Sequence, residues 1–369
     1  MILQHLTIDN FKNIAHADID FSPKMNCLLG NNGMGKSNLL DALFYLSFCK
    51  SFSGLPDTRL VRRDEQFMMI KAIYDRRGVT EEIQTGFTPG RRKSFKRKGK
   101  EYKRLSEHIG AFPLVMVAPQ DIDLVNGLSD GRRGFIDRII SQSDPNYLAA
   151  LIRFNGLLEQ RNRMLRDKVS DTTLFEALEL PMSADIKYIT DARRRWIEQF
   201  TPVFNRYYAA ISGEGAEDVS VGYLTTFNPG DADPYEQFEA ARRHDIMSGH
   251  TSVGIHRDDL SMTIDSMPLR RTASQGQTKT FVIAMRLAQY DFLRESTGLK
   301  PLLLLDDIFD KLDSGRVERI VGLTSGDNFG QIFITDTNRD HLDSIMSHSP
   351  TRYSLWHVDN GNFTLSSSN

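Results

Sequence analysis

Gly30-Asn31-Asn32-Gly33-Met34-Gly35-Lys36-Ser37 spells G-x-x-x-x-G-K-[ST], the pattern of a loop that cradles phosphates. Upstream, Met25 to Leu29 reads as a short buried strand. Downstream, Asn38 to Phe48 reads as an apolar helix, which completes the strand, loop and helix order that such a loop requires. The residue types suit a polyphosphate. Glycines let backbone N–H groups turn inward, and the helix N-terminus that follows carries partial positive charge. Lys36, read as a mobile cation at the loop surface, is expected to neutralise β- and γ-phosphates, and Ser37 to ligate Mg2+. ATP or another nucleoside triphosphate is therefore expected along residues 30–38, Asn38 included.

A second stretch supplies the complementary chemistry. Pro301 precedes Leu302-Leu303-Leu304-Leu305, an unbroken apolar run that stops at Asp306-Asp307. Such a run reads as a strand buried on both faces, and parallel strands present ligand-binding groups at their carboxyl ends. Asp306 is then placed to hold the metal opposite Ser37. Asp307 is the candidate general base that polarises the attacking water. Gln120, in Ala118-Pro119-Gln120-Asp121 at the end of the apolar run Leu114 to Val117, is a second candidate to reach metal or water; a plain turn residue is the other reading.

With 369 residues, 40% of them hydrophobic, the chain can bury a large core and has the length of two domains, or of one with an insertion. No apolar stretch is long enough to span a membrane and no signal peptide is evident, so a cytoplasmic protein without a membrane partner is expected. Its two cysteines, Cys27 and Cys49, lie in apolar surroundings and imply neither a disulfide nor a metal. The net charge of −2 hides local clusters.

A third stretch, Ser274-Gln275-Gly276-Gln277, precedes an apolar helix, roughly Lys279 to Arg294, a short distance before Leu302. A serine and a glycine at a helix start make a second anion-receptive end. This S-x-G-Q pattern resembles the signature of ABC-type ATPases. In that family the signature of one protomer caps the γ-phosphate held by the other, so the resemblance implies that Ser274, Gly276 and Gln277 bind the partner's ATP and that the dimer depends on ATP. Phe309-Asp310-Lys311-Leu312-Asp313 resembles the family's D-loop. Where transporters of the superfamily carry a switch histidine, this chain has Thr335-Asp336-Thr337, which leaves the sensor of the γ-phosphate open.

Over nearly its whole length the chain resembles the RecF family of bacterial recombination mediators, DNA-repair ATPases related to SMC heads. The resemblance rests on Leu3-x-x-Leu6-x-Ile8-x-Asn10-Phe11-Lys12-Asn13, Arg132-Arg133-Gly134-Phe135-Ile136-Asp137, Glu159-Gln160-Arg161-Asn162 and Gly254-Ile255-His256-Arg257-Asp258-Asp259-Leu260. It implies that Lys12 and Asn13 lie near the adenine, and that the last stretch is where the chain returns to the head. It also implies recognition of gapped duplex or single-strand/duplex junctions, and work with RecO and RecR to load recombinase during recombinational repair of gapped or stalled-fork DNA. The resemblance assigns His256 no role.

Strand patterns dominate up to about residue 145, with half-buried segments on either side of the turn Arg76-Arg77-Gly78. From Tyr147 the period becomes helical, breaks at Pro181 and resumes from Ile186 to Ile211. The expected architecture is α/β: an ABC-type P-loop ATPase head (1–145 and 250–369) with an antiparallel β subdomain, and an inserted helical arm (146–249). Each arm helix should reach only about 40 Å.

Between Arg91 and Arg104 nine of fourteen residues are basic. Arg91, Arg92, Lys93, Lys96, Arg97, Lys98 and Lys100 lie on or near a hairpin turning at Lys98-Gly99, positioned to line a phosphate backbone. A lysine-protected edge strand is the competing reading. Phe95 and Tyr102 either stack on bases or pack the hairpin onto its sheet. Arg132, Arg133, Arg161, Arg163 and Arg166 are candidate extensions of the surface. The function expected is a weak, DNA-stimulated ATPase that binds ATP and Mg2+, forms an ATP-dependent homodimer on DNA and is nucleoid-associated. An ABC-type subunit of a transporter or nuclease is the alternative.

Overall fold

The helix after the phosphate loop, Lys36–Phe48, has almost no polar face: Leu39, Leu40, Ala42, Leu43, Tyr45 and Leu46 are fully buried. A helix apolar all round must be enclosed. In the computed structural model, which describes residues 1–228, 230–309, 312–339, 342 and 353–368, it packs against two sheets. One is antiparallel, in the order Ile14–Asp20, Ile2–Phe11, Met68–Arg76, Val79–Phe87, Ser94–Arg97, Lys100–Glu101. Burial alternates along Met68–Arg76, so one face of this sheet packs on the core. The other sheet runs Asn362–Ser368, Tyr353–Asp359, Met25–Leu29, Ile332–Asp336, Leu302–Asp306, Leu114–Val117, and only its edge strand Asn362–Ser368 is antiparallel. Leu302–Asp306 is buried at every position, as a central parallel strand should be.

Parallel pairing brings the carboxyl ends of Met25–Leu29, Ile332–Asp336, Leu302–Asp306 and Leu114–Val117 to one edge. The phosphate loop, Asp336, Asp306 and Gln120 all follow from those ends. Both expected hairpin turns form, Arg77-Gly78 with φ 58° and 77° and Lys98-Gly99 with φ 51° and 76°. Two consecutive positive φ angles are the signature of the tight turn whose twist matches the strands.

The chain divides into two compact units. The first comprises Met1–Asp121, Ala210–Gly213 and the residues from Ile283 onward; the second comprises Ile122–Ala209 and Glu214–Val282. The second unit therefore takes in segments on both sides of residues 146–249, and side-chain pairing is the reason. Arg132 donates to both carboxylate oxygens of Asp259 at 2.6 and 2.9 Å, and Arg133 donates to the Asp258 carbonyl at 2.8 Å, which joins the helix Ser129–Ser143 to the strand Asp259–Ile264. The segment from Gly254 to Leu260, expected where the chain returns to the head, lies in this unit.

Two expectations for the helical segment are corrected. The break falls between the helices Pro145–Arg166 and Thr172–Ser212, and the second helix runs through both Pro181 and Pro202. A proline inside a helix costs about 3 kcal/mol. Here Phe175, Met182, Ile186, Ile189, Trp196, Phe200 and Phe204 form one buried stripe that continues past Pro181, and its packing outweighs the local penalty. At 41 residues this helix has a contour of about 60 Å rather than 40 Å. Among the described residues, no helix is long and apolar enough to cross a membrane.

Candidate nucleotide site

Gly35 caps the helix Lys36–Phe48 with φ 114°, a conformation closed to other residues, and it lets the loop turn into the helix. Lys36 is not a surface cation. It is buried, with Nζ donating to the carbonyls of Gly30 at 2.7 Å and Asn31 at 3.1 Å, and so braces the loop from inside. Asn31, Asn32 and Gly33 form the exposed tip, with Met34 half-buried beside them.

The loop is also gripped from outside. Asn13 Nδ2 lies 3.4 Å from the Gly33 carbonyl, and Asn38 Nδ2 donates to Asn13 Oδ1 at 2.7 Å. Gly361, in the turn of the hairpin formed by Tyr353–Asp359 and Asn362–Ser368, donates its N–H to the Met34 carbonyl at 2.7 Å. A Cβ at Gly361 would sit 2.6 Å from the Asn13 carbonyl oxygen, and one at Gly30 would sit 2.3 Å from the Val358 carbonyl oxygen. The clamp from Gly361 was not legible in the sequence, because the hairpin carries no motif. Lys12 is committed elsewhere: Nζ lies 2.6 Å from Asp41, a buried carboxylate that also accepts from Ser51 Oγ and the Phe52 amide.

Across from the loop, Ser37 Oγ donates to Asp306 Oδ1 at 2.8 Å. Burial raises the Asp306 pKa, opposed by the hydroxyls of Thr335 and Ser37. A hydroxyl and a carboxylate held together at a helix start are the oxygen donors that Mg2+ prefers, so these residues fit the metal. Among the described residues no group of three or more His, Cys, Asp or Glu gathers as a metal cluster, and both cysteines are buried and free. Asp307 follows with φ 44°, half-buried, its N–H donating to Thr335 Oγ1 at 2.9 Å. Gln120 is exposed in a short turn that Asp121 holds in place. Asp121 accepts from the Ala118 amide and from the guanidinium of Arg286, a buried arginine within an otherwise apolar stretch of its helix. That pair was missed; the signal was an arginine within Val282 to Leu287.

In the second unit, Ser274 and Gln277 form a reciprocal capping box. Gln277 N donates to Ser274 Oγ at 3.2 Å and Ser274 N to Gln277 Oε1 at 2.7 Å, leaving Ser274 exposed and Gly276 half-buried. Asp310 and Lys311 lie outside the described residues.

The basic hairpin divides by face. Phe95 is buried and Tyr102 packs against the core, so the packing reading of these aromatics holds. Lys93 reaches the Cys49 carbonyl and Asp57, and Arg97 is bound to buried Glu81, with Lys98 3.6 Å away. Arg92 donates to the Lys103 carbonyl. Arg91, Lys96 and Lys100 have no carboxylate within 4 Å among the described residues. Arg91, Arg92 and Lys96 line an open cleft of about 300 Å³ whose wall includes Phe67 and Met69.

The proposed extension of this surface loses Arg161. That side chain is fully buried between Glu179, Asp245 and Thr251, and so serves the second unit's interior. His256 is also structural: burial pushes its pKa down to about 4, and Nε2 lies 3.1 Å from the Thr251 carbonyl.

The sequence model of the RecF/RecN/SMC N terminal domain matches residues 2–354. The chain is similar to the DNA replication and repair protein RecF of Parabacteroides distasonis, 48% identical over 361 residues that cover 98% of either chain. It is similar also to that of Bacteroides thetaiotaomicron, 46% identical over 98% of either chain. Among solved structures, the recombination mediator protein RecF-ATP in the RecFOR pathway superposes with a TM-score of 0.88 at 27% identity, over 99% of this chain and 98% of that one. A Pyrococcus furiosus Smc head domain shares the fold, with a TM-score of 0.57 at 18% identity over 100% of this chain and 96% of that one. Its phosphate loop, the buried strand ending in Asp306 and these full-length likenesses agree that the chain belongs to the RecF family, with the fold of an ABC-type ATPase head.

Proposed function

We propose that this protein is an ATP-driven DNA-binding switch of recombinational repair. The observation that carries the reading is the hydrogen bond of 2.8 Å between Ser37 and Asp306, which joins the phosphate loop to the acidic strand end. ATP binds along residues 30–38, with Lys36 turning from the loop carbonyls to the phosphates and Asn13 and Asn38 bordering the loop. Ser37 and Asp306 hold Mg2+, which when bound neutralises phosphate charge. Asp307 orients and deprotonates the attacking water, and Gln120 lies at the same sheet edge to assist it.

Ser274, Gly276 and Gln277 complete the partner protomer's site in an ATP-dependent homodimer. The basic hairpin, through Arg91, Arg92, Lys96, Lys98 and Lys100, grips DNA mainly through phosphates. Binding is therefore steeply salt-dependent and weakly sequence-selective. Hydrolysis is slow, DNA-stimulated and dissolves the dimer. Likeness to a RecF solved in the RecFOR pathway supports cytoplasmic, nucleoid-associated work with RecO and RecR at gapped duplex, where recombinase is loaded. On this reading residues 1–145 and 250–369 act as the head and 146–249 as the arm.

Titration of labelled gapped DNA with and without ATP, alongside sedimentation of the protein across concentration, tests the reading. ATP should promote both dimerisation and DNA binding. DNA affinity and mass that are both indifferent to ATP would overturn it.

A further inference from the structure

The strand Ile332–Asp336 lies between the two strands that carry the nucleotide motifs. Its Thr335 is in register with Leu28 on one side and with Asp306 on the other. The main chain reaches the phosphate loop, since Gly30 N donates to the Asp336 carbonyl at 3.3 Å. The side chain reaches the acidic pair. Thr335 Oγ1 donates to Asp306 Oδ1 at 2.8 Å, accepts the Asp307 N–H at 2.9 Å and stands 3.4 Å from Asp307 Oδ1.

Ile332, Phe333 and Ile334, like Thr335, are buried. An apolar residue would satisfy packing at that position, but it could not meet the hydrogen-bonding needs of its neighbours. Asp307 holds a left-handed backbone, φ 44°, which a non-glycine residue keeps only when its surroundings impose it. The Thr335 hydroxyl imposes it by accepting the N–H of that same residue. Its own proton goes to the carboxylate that Ser37 also engages. The next residue, Asp336, cannot replace a histidine donor as a carboxylate; it accepts the Asn338 amide at 2.8 Å.

We infer that Thr335 is the positioning residue of the hydrolytic step, one hydroxyl that fixes the Asp307 backbone and the Asp306 carboxylate relative to each other. This rests on the reading of Asp307 as the base. Thr335 does not touch substrate, so its loss should lower turnover while nucleotide affinity stays near normal.

The test compares Thr335→Val, Thr335→Ser and Asp307→Asn in the full chain, measuring ATP affinity with a fluorescent analogue, thermal unfolding and steady-state kcat and KM. Thr335→Val should keep affinity within about threefold and lose about 10- to 100-fold in kcat, the scale of a misplaced catalytic group. Thr335→Ser should recover kcat to within about threefold. If Thr335→Val turns over at the wild-type rate while Asp307→Asn does not, Thr335 is only a core residue and the inference fails alone. If Asp307→Asn turns over normally, the base assignment fails and takes this inference with it. Should Thr335→Val not fold, Thr335→Cys takes its place, filling similar volume with a weak donor. Slow Cys beside active Ser supports the inference, and equal rates overturn it.

Discussion

Ser37 Oγ and Asp306 Oδ1 meet at 2.8 Å although 269 positions separate the residues in sequence. The contact brings the two halves of the nucleotide motif together. Beside it the Lys36 ammonium rests on the Gly30 and Asn31 carbonyls. Lys36→Met should keep the length of the side chain and abolish measurable ATP binding, a loss of at least about 100-fold when a charge-assisted phosphate contact disappears. Thermal unfolding should show a modest loss, since two loop carbonyls lose their donor. Wild-type nucleotide affinity in this variant would remove Lys36 from the site.

On the proposed function Ser274 has two separable roles. Ser274→Arg should leave ATP binding by the single chain intact and block the ATP-dependent dimer, because the residue is exposed where a partner must approach closely. The proposed dimer would offer two hairpins to one duplex, so its loss should cost about 10²-fold or more in avidity and erase the ATP dependence of DNA binding. Ser274 also caps its helix, worth about 1 kcal/mol. Ser274→Asp keeps a cap and serves as the stability control. Sedimentation with ATP decides: a Ser274→Arg dimer would contradict the assignment.

Not every basic residue of the hairpin is available to DNA. Replacing Arg91, Lys96 and Lys100 with alanine should leave folding unchanged and flatten the salt dependence of DNA binding, by up to about 2.7 in log–log slope at about 0.9 for each phosphate contact. Arg97→Ala should instead destabilise the protein by about 1–3 kcal/mol, because it strips buried Glu81 of its closest partner, 2.6 Å away. Affinity measured across salt, paired with urea unfolding, separates the two groups. An unchanged slope in the triple variant would rule out the hairpin as the DNA contact.

Acid should weaken the fold through two histidines. Burial pushes His108 and His256 down to about 4. The unfolded chain takes up these protons near pH 6.5, so between about 6.5 and 4 it binds more protons than the folded chain. Stability is therefore full above that window and falls as pH drops through it, by up to about 2 kcal/mol for each ring at pH 5. His108→Gln, whose amide can still donate to the Leu46 carbonyl, should lose less than wild type between pH 7.5 and 5. Equal losses would show that the ring already titrates normally.

What was legible in the sequence is what local pattern encodes. The phosphate loop, the unbroken strand ending at Asp306 and the turns at Arg77-Gly78 and Lys98-Gly99 each carry their cause within a few residues. Pro181 misled because a local helix breaker was weighed without the continuous apolar stripe that overrides it. Arg161 misled because charge in sequence does not report burial, and only the fold brings Glu179 and Asp245 around it. Thr335 stood in plain view after the apolar run Ile332 to Ile334, yet its meaning depends on which strands flank it, and register across a parallel sheet is not a local property.

The grip of Gly361 on Met34 has a consequence for biosynthesis. The strand Met25–Leu29 pairs with Ile332–Asp336 and Tyr353–Asp359, both of which are made long after it. Until then its edges are unpaired, the buried strand is a sticky apolar segment and the phosphate loop has no outer clamp. The nascent chain consequently cannot hold nucleotide in a finished pocket, however early the glycine-rich motif emerges. A chain cut short before Gly361 would carry the glycine-rich motif without the N–H that holds Met34.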